Sequence, residues 1–487
     1  MRAEESWRYF VCLGVGLLLF VLLGPGWSSG FESPFPDSSS YVAVADIGPF
    51  SIDFWFAERP PTYPLLVWLV GPSARAIVLA QTLIWVAAST YLAVTLWQQL
   101  SNRIVRLVTI VAVGAVLIET RWMFWHTLVL TESLSNSLVL AWLAAWIRWF
   151  AAPSGRRLAG AVVLTAAWML LRDSNAVTLT ASLIPLVVAG FVWERRRPGE
   201  RVRGLVTASV ILILVGVFSG IGQWHTSRGE VTFHNNVGLR WLPDESMREW
   251  MIDHGMPFDE ALAERTGGDA WADGEAFLRD PRLEEYRDWA SGPGRIAAGW
   301  SFVARSPWYI DRFVDELPIH TDSGFAAYDA HRVGEQFPDT VLGPLDPTGS
   351  RWSMALWGLA AIGAIAAAFA VRRWLGVLIT FLVVPIAVDL YLVYVADAIE
   401  VGRHLAGPMF RMSIVCIVAA GLTADALLAR RTDGNEHHDS DPPDSHEHDP
   451  DDGPGDDPGD DHRDDRHDTA ESGARPMTDS PGGAVTT

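Results

Sequence analysis

The sequence predicts an all-α polytopic membrane protein of about ten transmembrane helices. It adds a small, mostly helical extracytoplasmic domain and a disordered cytoplasmic tail. Three observations predict this. Apolar residues, 49% of a 487-residue chain, gather into blocks of about 18 to 22, long enough to cross a bilayer as helices. Arginine segregates into alternate connecting segments, as the positive-inside bias requires. Two stretches, 222–350 and 432–487, lack such blocks.

The blocks run over 8–25, 75–97, 105–119, 127–147, 158–171, 176–193, 204–221, 352–371, 374–394 and 406–429. Those at 105–119 and 158–171 are short. Residues 1–25 resemble a signal peptide, with Arg2 and Arg8 before an apolar run and Ser28-Ser29-Gly30 after it. The many spans that follow make a retained anchor the more natural reading. With the N-terminus inside, one set of connections holds Arg103, Arg106, Arg148, Arg156, Arg157, Arg195–Arg197, Arg201, Arg203, Arg372, Arg373, Arg430 and Arg431. The short connections on the other side hold only Arg59, Arg121, Arg172 and Arg403. An even number of spans leaves both termini cytoplasmic, in the inner or plasma membrane.

Four regions follow. Residues 1–221 form an N-terminal transmembrane block with a long first outer loop, 26–74. Residues 222–350 are polar, Trp-rich and too long for a connector, and carry amphipathic helical patterns such as Met247-Arg248-Glu249-Trp250-Met251-Ile252. Residues 351–431 form a C-terminal transmembrane block. Residues 432–487 hold 18 Asp plus Glu against 3 Arg, so −15 of the net charge of −20 lies there. Such a tail has too little apolar surface to offset its ordering entropy. Its six His residues, His437, His438, His446 and His448 among them, fit loose metal binding or plain solvation. The acidic balance therefore says nothing about substrate, and nothing points to nucleic acid. All 37 basic residues are Arg, a coding bias expected of a GC-rich bacterial genome. Cys12 and Cys416 lie in apolar blocks and offer neither a disulfide framework nor metal-ligand spacing. No internal repeat of the transporter kind is visible.

The chemistry-bearing residues sit at outer ends of spans. Asp37 and Tyr41 in the first outer loop are four apart, on one face if helical. Arg59 opens Arg59-Pro60-Pro61-Thr62-Tyr63-Pro64-Leu65 in the same loop. Glu132 opens one span, Arg172 and Asp173 flank another, and Arg403 and His404 precede Pro408 in the last. Ionisable groups at such positions are expected to face an interior cavity and are functional candidates. Each has a plainer reading: Asp37 as a helix N-cap, Glu132 as a cap or a partner of Arg121, Arg172 and Arg403 as interfacial anchors. Asp46, Asp53 and Glu58 compete with Asp37. Trp122 and Trp125 read as part of an interfacial aromatic belt.

Taken together, these motifs resemble the GT-C superfamily of polytopic glycosyltransferases, especially its protein O-mannosyltransferase and aminoarabinose-transferase branch. Asp37 with Tyr41 looks like the family's acidic motif after the first span. Arg59 to Leu65 resembles its proline-rich segment. Thr131-Glu132-Ser133-Leu134 is similar to its span-opening acidic motif, and Arg305-Ser306-Pro307-Trp308-Tyr309 to a Pro-aromatic segment of its outer domain. Arg403 before Pro408 resembles its Arg-then-Pro approach to a late span. The resemblance covers roughly residues 8–430. One departure stands out: many members have Asp-Glu in the first loop, whereas Ser38 follows Asp37 here.

The resemblance implies transfer of a sugar from a polyprenyl-phosphate donor to an extracytoplasmic glycan, lipid or protein, with inversion at the anomeric carbon. It implies Asp37 as general base, and Tyr41, Arg59, Glu132, Arg172, Arg403 and His404 as donor- or substrate-binding residues. Arg403 and then Arg172 would hold the leaving phosphate. The resemblance makes no cofactor certain and leaves a divalent metal possible. The alternative is a lipid or solute transporter or flippase, which would place its charges near mid-membrane.

Overall fold

The computed structural model describes Gly14 and residues 36–194, 200–224, 228–322, 351–396, 398–399 and 401–438. The expected first span, 8–25, lies outside the described residues except for Gly14, as do 323–350 and the tail beyond 438. Among the described residues every regular element is a helix and none is a strand.

The loop expected as the first outer one holds helices: α1 spans Pro36–Ile47 and α2 spans Thr62–Val70. Gly71, at φ 85°, ends α2 by donating its N–H to the Val67 carbonyl. The left-handed region suits glycine there. Then come α3 (Ala74–Gln99), α4 (Arg103–Leu117), α5 (Thr131–Ala151), α6 (Gly155–Met169), α7 (Asp173–Glu194) and α8 (Glu200–Trp224). Side-chain caps mark two of the starts: Asn102 accepts from Ile104 and Val105 N–H, and Ser154 from Arg157 N–H. The segment that the sequence reading puts outside, called the outer segment for that reason, opens with α9 (Arg228–Asn236) and closes with α10 (Ser306–Asp322) after several short helices. Three long helices follow: α11 (Arg351–Val371), α12 (Arg373–Ala396) and α13 (Val401–His438).

Among the described residues six helices are long and apolar enough to cross a membrane: α3, α5, α8, α11, α12 and α13. The blocks at 105–119 and 158–171 form α4 and α6, of 15 residues each. At about 1.5 Å per residue these fall short of a hydrocarbon core about 30 Å thick. The block at 176–193 lies within α7, of 22 residues.

α5 is central. It packs against α3 and α6, while α7 packs on α8 and α12, and α11 on α12. In its span 89% of residues are buried, against 11% in α11, whose Trp352, Leu356, Leu359 and Ile362 stay exposed. Small polar residues of α5, Ser133, Ser135 and Ser137, permit that close packing, and Trp142, Trp146 and Trp149 fill the spaces beyond them. Trp122 and Trp125 are also 1% exposed, which corrects the belt reading. The Trp122 indole donates to Glu119 at 3.1 Å and its ring packs on Phe410. These rings fill the protein core instead of meeting lipid headgroups.

The outer segment is fastened to the end of α12. Asn236 donates to the Ala396 carbonyl at 2.6 Å, Tyr391 to the Phe302 carbonyl at 2.6 Å and Tyr394 to Glu316 at 2.8 Å. Buried Arg240 donates to the Tyr394 carbonyl and lies over its ring. Contacts divide the chain into residues 1–436 and a second unit, 437–487, of which only His437 and His438 are described. α13 runs on through 432–438, into the stretch that composition alone reads as disordered.

Candidate functional site

Asp37 lies in the first turn of α1, where the helix dipole favours a carboxylate. Helical spacing puts Tyr41 on the same face, and Arg59 lies across both. Its guanidinium bonds Asp37 at 2.5 Å and sits 4.8 Å from the centre of the Tyr41 ring, while its Nε donates to the Ser40 hydroxyl at 2.6 Å. The proline-rich segment explains how Arg59 is held. It leads into α2, where Tyr63 is buried, packs on Tyr41 and donates to Gln81 at 2.5 Å. Gln81 in turn donates to the Leu128 carbonyl just ahead of α5.

Arg403, at the start of α13, joins this loop to the spans. It donates to the second oxygen of Asp37 at 2.8 Å and to Glu132 at 3.3 Å. Glu132, in the first turn of α5, also meets Arg172 at 3.5 Å. Arg172 then donates to His404 Nδ1 at 3.1 Å. A guanidinium cannot accept a hydrogen bond, so Nδ1 is the acceptor and His404 carries its proton on Nε2. All seven residues singled out in the sequence, Asp37, Tyr41, Arg59, Glu132, Arg172, Arg403 and His404, thus form one connected cluster. Glu132 pairs with Arg172 and Arg403 and also accepts a backbone N–H in the first turn of its helix. Asp46 and Asp53 are exposed, and exposed Glu58 acts on Arg59 electrostatically. The Pro-aromatic segment lies elsewhere: Tyr309 is in the core of the outer segment, bonded to Trp241, and Trp308 donates to Asp244.

The two carboxylates differ. Asp37 is 23% exposed and Glu132 is 1%, so solvent and ligands reach Asp37. Its partial burial alone would raise its pKa. The Arg59 and Arg403 guanidiniums outweigh burial and hold the carboxyl well below the usual carboxylate range. As it stands, Asp37 is a charged acceptor and a weak base. Arg172 and His404 also line a cavity of about 420 Å³ whose other wall is the outer segment, with Thr232, Asn236, Trp241 and Arg295. That volume is in the range of ligand pockets.

The donor set does not suit a cation. Both carboxylates are committed to guanidiniums, and among the described residues no group of three or more His, Cys, Asp or Glu could hold a metal ion. No family model matches the sequence, and the comparisons with curated proteins and with solved structures return no match.

A second buried cluster lies deeper and was not singled out from the sequence. Asp389 of α12 and Arg411 of α13 form an ion pair, both essentially inaccessible. Arg411 also donates to Ser135 of α5 at 2.9 Å and approaches Asn175 of α7 at 3.5 Å, while Thr178 donates to Asp389 at 3.3 Å. The signal was available, because both charges interrupt long apolar runs and an ionisable residue within a span is a functional candidate. His126 was missed as well: it is buried against Trp85 and bonded to Ser133 at 2.6 Å, which steadies the turn before Glu132.

Proposed function

We propose that the protein is a membrane glycosyltransferase that moves a sugar from a polyprenyl-phosphate donor to an extracytoplasmic acceptor. In this reading it has ten spans in the plasma membrane, both termini in the cytoplasm, and residues 222–350 outside. The observation that carries the proposal is the meeting of Asp37, Arg59, Glu132, Arg172, Arg403 and His404. They come from four distant parts of the chain and gather beside a cavity shared with the outer segment.

Sugar transfer from a lipid phosphate needs few parts. The phosphate leaves readily, and guanidiniums bind its oxygens and offset the charge that grows on them. Arg403 and Arg172 take that role. Arg403 now occupies one oxygen of Asp37. A donor phosphate competes for this guanidinium and frees that oxygen, so Asp37 becomes a stronger base when the donor binds. The acceptor hydroxyl gives its proton to Asp37 while its oxygen bonds to the anomeric carbon. The bond from that carbon to the phosphate oxygen breaks on the opposite face, the electron pair leaves with the phosphate, and the centre inverts. Glu132 orients Arg403 and Arg172.

The test is incubation of the full-length protein in liposomes with radiolabelled polyprenyl-phosphate sugars, mannose and arabinose first. Release or transfer of label by the wild type, and not by Asp37→Asn, is expected. Equal release by both removes Asp37 from the chemistry, and no release from any donor overturns the proposal. One observation favours the transporter reading: Asp389 and Arg411 are charges deep within spans. Movement of intact donor across the liposome, without release of sugar, would favour it.

A further inference from the structure

We infer that the arginine-rich end of the helices carries a second binding site, for the headgroup of an anionic phospholipid. The end is defined by the C-terminus of α3, the C-terminus of α5, the start of α8, the α11–α12 junction and the later turns of α13. A cleft of about 620 Å³ opens among these elements. Arg201, Arg372 and Arg373 all line it. The cluster around Asp37 is built from the opposite ends of α5 and α13.

Three features separate this cleft from an ordinary basic surface. First, two of its three cations lack counter-charges among the described residues. Among the described residues neither Arg201 nor Arg372 makes an ion pair. The acid on the wall, Asp425, is committed elsewhere: it accepts from the Ser101 hydroxyl at 3.0 Å and the Asn102 N–H at 2.6 Å. Second, Arg201 Nε is buried with no hydrogen-bond partner, and a buried donor calls for an acceptor. The same guanidinium lies 5.8 Å from the centre of the Trp374 ring, which holds it at the cleft. Third, the remaining wall is apolar, with Phe150, Leu378 and Leu422.

Cations at the mouth and hydrocarbon behind them match a lipid with a phosphodiester headgroup and an acyl chain. Basic pockets between spans recognise anionic lipid in this way. Free phosphate would satisfy the arginines and leave the apolar wall bare. The inference does not depend on sugar transfer at the opposite end.

The test uses full-length protein, delipidated in a neutral detergent and titrated with phosphatidylglycerol or phosphatidylcholine while native mass spectrometry counts bound lipid. Phosphatidylglycerol should bind in preference. Arg201→Gln, Arg372→Gln and Arg373→Gln should each weaken it about fivefold, near 1 kcal/mol per arginine at a membrane surface. Arg156→Gln, an exposed arginine outside the cleft, should leave binding unchanged. Arg372 is exposed, so its variant should fold normally and keeps the test meaningful if the Arg201 variant does not. Equal binding of the two lipids overturns the inference, as does an equal loss in Arg156→Gln. Displacement of phosphatidylglycerol by the same concentration of inorganic phosphate would mark a phosphate site and overturn the lipid assignment.

Discussion

The Asp37 cluster and the Asp389–Arg411 pair use the same chemistry, carboxylate against guanidinium, and differ in their surroundings. Around Asp37 the carboxylate is 23% exposed, its partners are Arg59 from the loop and Arg403 from the start of α13, and a cavity adjoins Arg172 and His404. Around Asp389 both charges are sealed, and hydroxyls and an amide from α5 and α7 supply their other contacts. An open cluster can exchange an ion-pair partner for a ligand. A sealed one must keep its ion pair, because an uncompensated buried charge is costly. The two lie along the same helices. Ser135 is one turn below Glu132, Asn175 one turn below Arg172, and Arg411 two turns beyond Arg403, so the sealed pair ties together the helices that carry the open cluster.

The largest expected effect tests the open half. Asp37→Asn keeps the shape and removes the charge and the base. Transfer should fall by about 10²–10⁴-fold, the usual contribution of a positioned base. Size-exclusion profile and thermal midpoint should stay near wild type. A fall of less than about tenfold would leave Asp37 as a holder of Arg59 and Arg403 and no more.

The sealed half should respond in the opposite way. Arg411→Met strands Asp389 and should destabilise the protein by about 3–5 kcal/mol. Combining it with Asp389→Leu removes both charges and should restore most of that loss, because a buried pair is often replaceable by apolar residues. Thermal unfolding of the two variants in one detergent checks this, and transfer by the double variant sharpens it. If the double variant is stable yet inactive, the pair belongs to the function and the contrast fails.

His234 in α9 gives a third kind of buried polar site, one kept neutral. Its Nδ1 meets the Tyr286 hydroxyl at 2.8 Å, its ring stacks on Phe277, and its Nε2 has no hydrogen-bond partner. Burial first, then repulsion from Arg287 and Arg295, pushes its pKa down to about 4. The folded state therefore resists protonation that the unfolded state accepts near 6.5. The stabilisation is whole above about pH 6.5 and is lost as pH falls towards about 4, by at most about 3 kcal/mol. Relative to its intrinsic rate, hydrogen exchange over 228–322 should speed up as pH falls from about 6.5 to about 4 in the wild type, and much less in His234→Asn. Equal acceleration in both would assign the effect to other groups.

Much of the open cluster was legible because Glu132, Arg172, Arg403 and His404 stand at the ends of apolar blocks, and the Asp37–Tyr41 spacing in the first loop already implied a shared helix face. What the sequence could not convey is pairing. Nothing local says that Arg403 reaches back to Asp37, across most of the chain, or that Glu132 is shared between two arginines. The helical class was legible from the apolar blocks, but span number was not. The block at 75–97 lies in α3, of 26 residues, and the block at 105–119 largely in α4, of 15, so an apolar block alone does not make a span. Trp122 and Trp125 misled because an indole near a span end suits either a headgroup or a core, and only packing decides. Asp389 and Arg411 were visible as charges, but their mutual contact depends on how α12 and α13 meet.

The smallest expected effect concerns Ser38, where the resembled family often has a second acid. Ser38 is buried, and its hydroxyl donates to the Val129 carbonyl at 2.9 Å, tying the first turn of α1 to the segment before α5. It neighbours Asp37 in sequence but its bond runs to the scaffold. A glutamate there would have to bury a carboxylate beside a carbonyl oxygen, two acceptors with no proton between them. Ser38→Ala removes one donor and should cost about 1 kcal/mol of stability, with transfer reduced severalfold at most. Ser38→Glu should cost more stability and give no gain in rate. If Ser38→Ala lost as much transfer as Asp37→Asn while remaining folded, the hydroxyl would have to act on the substrate. The open cluster would then have two working groups on α1 where one carboxylate is proposed.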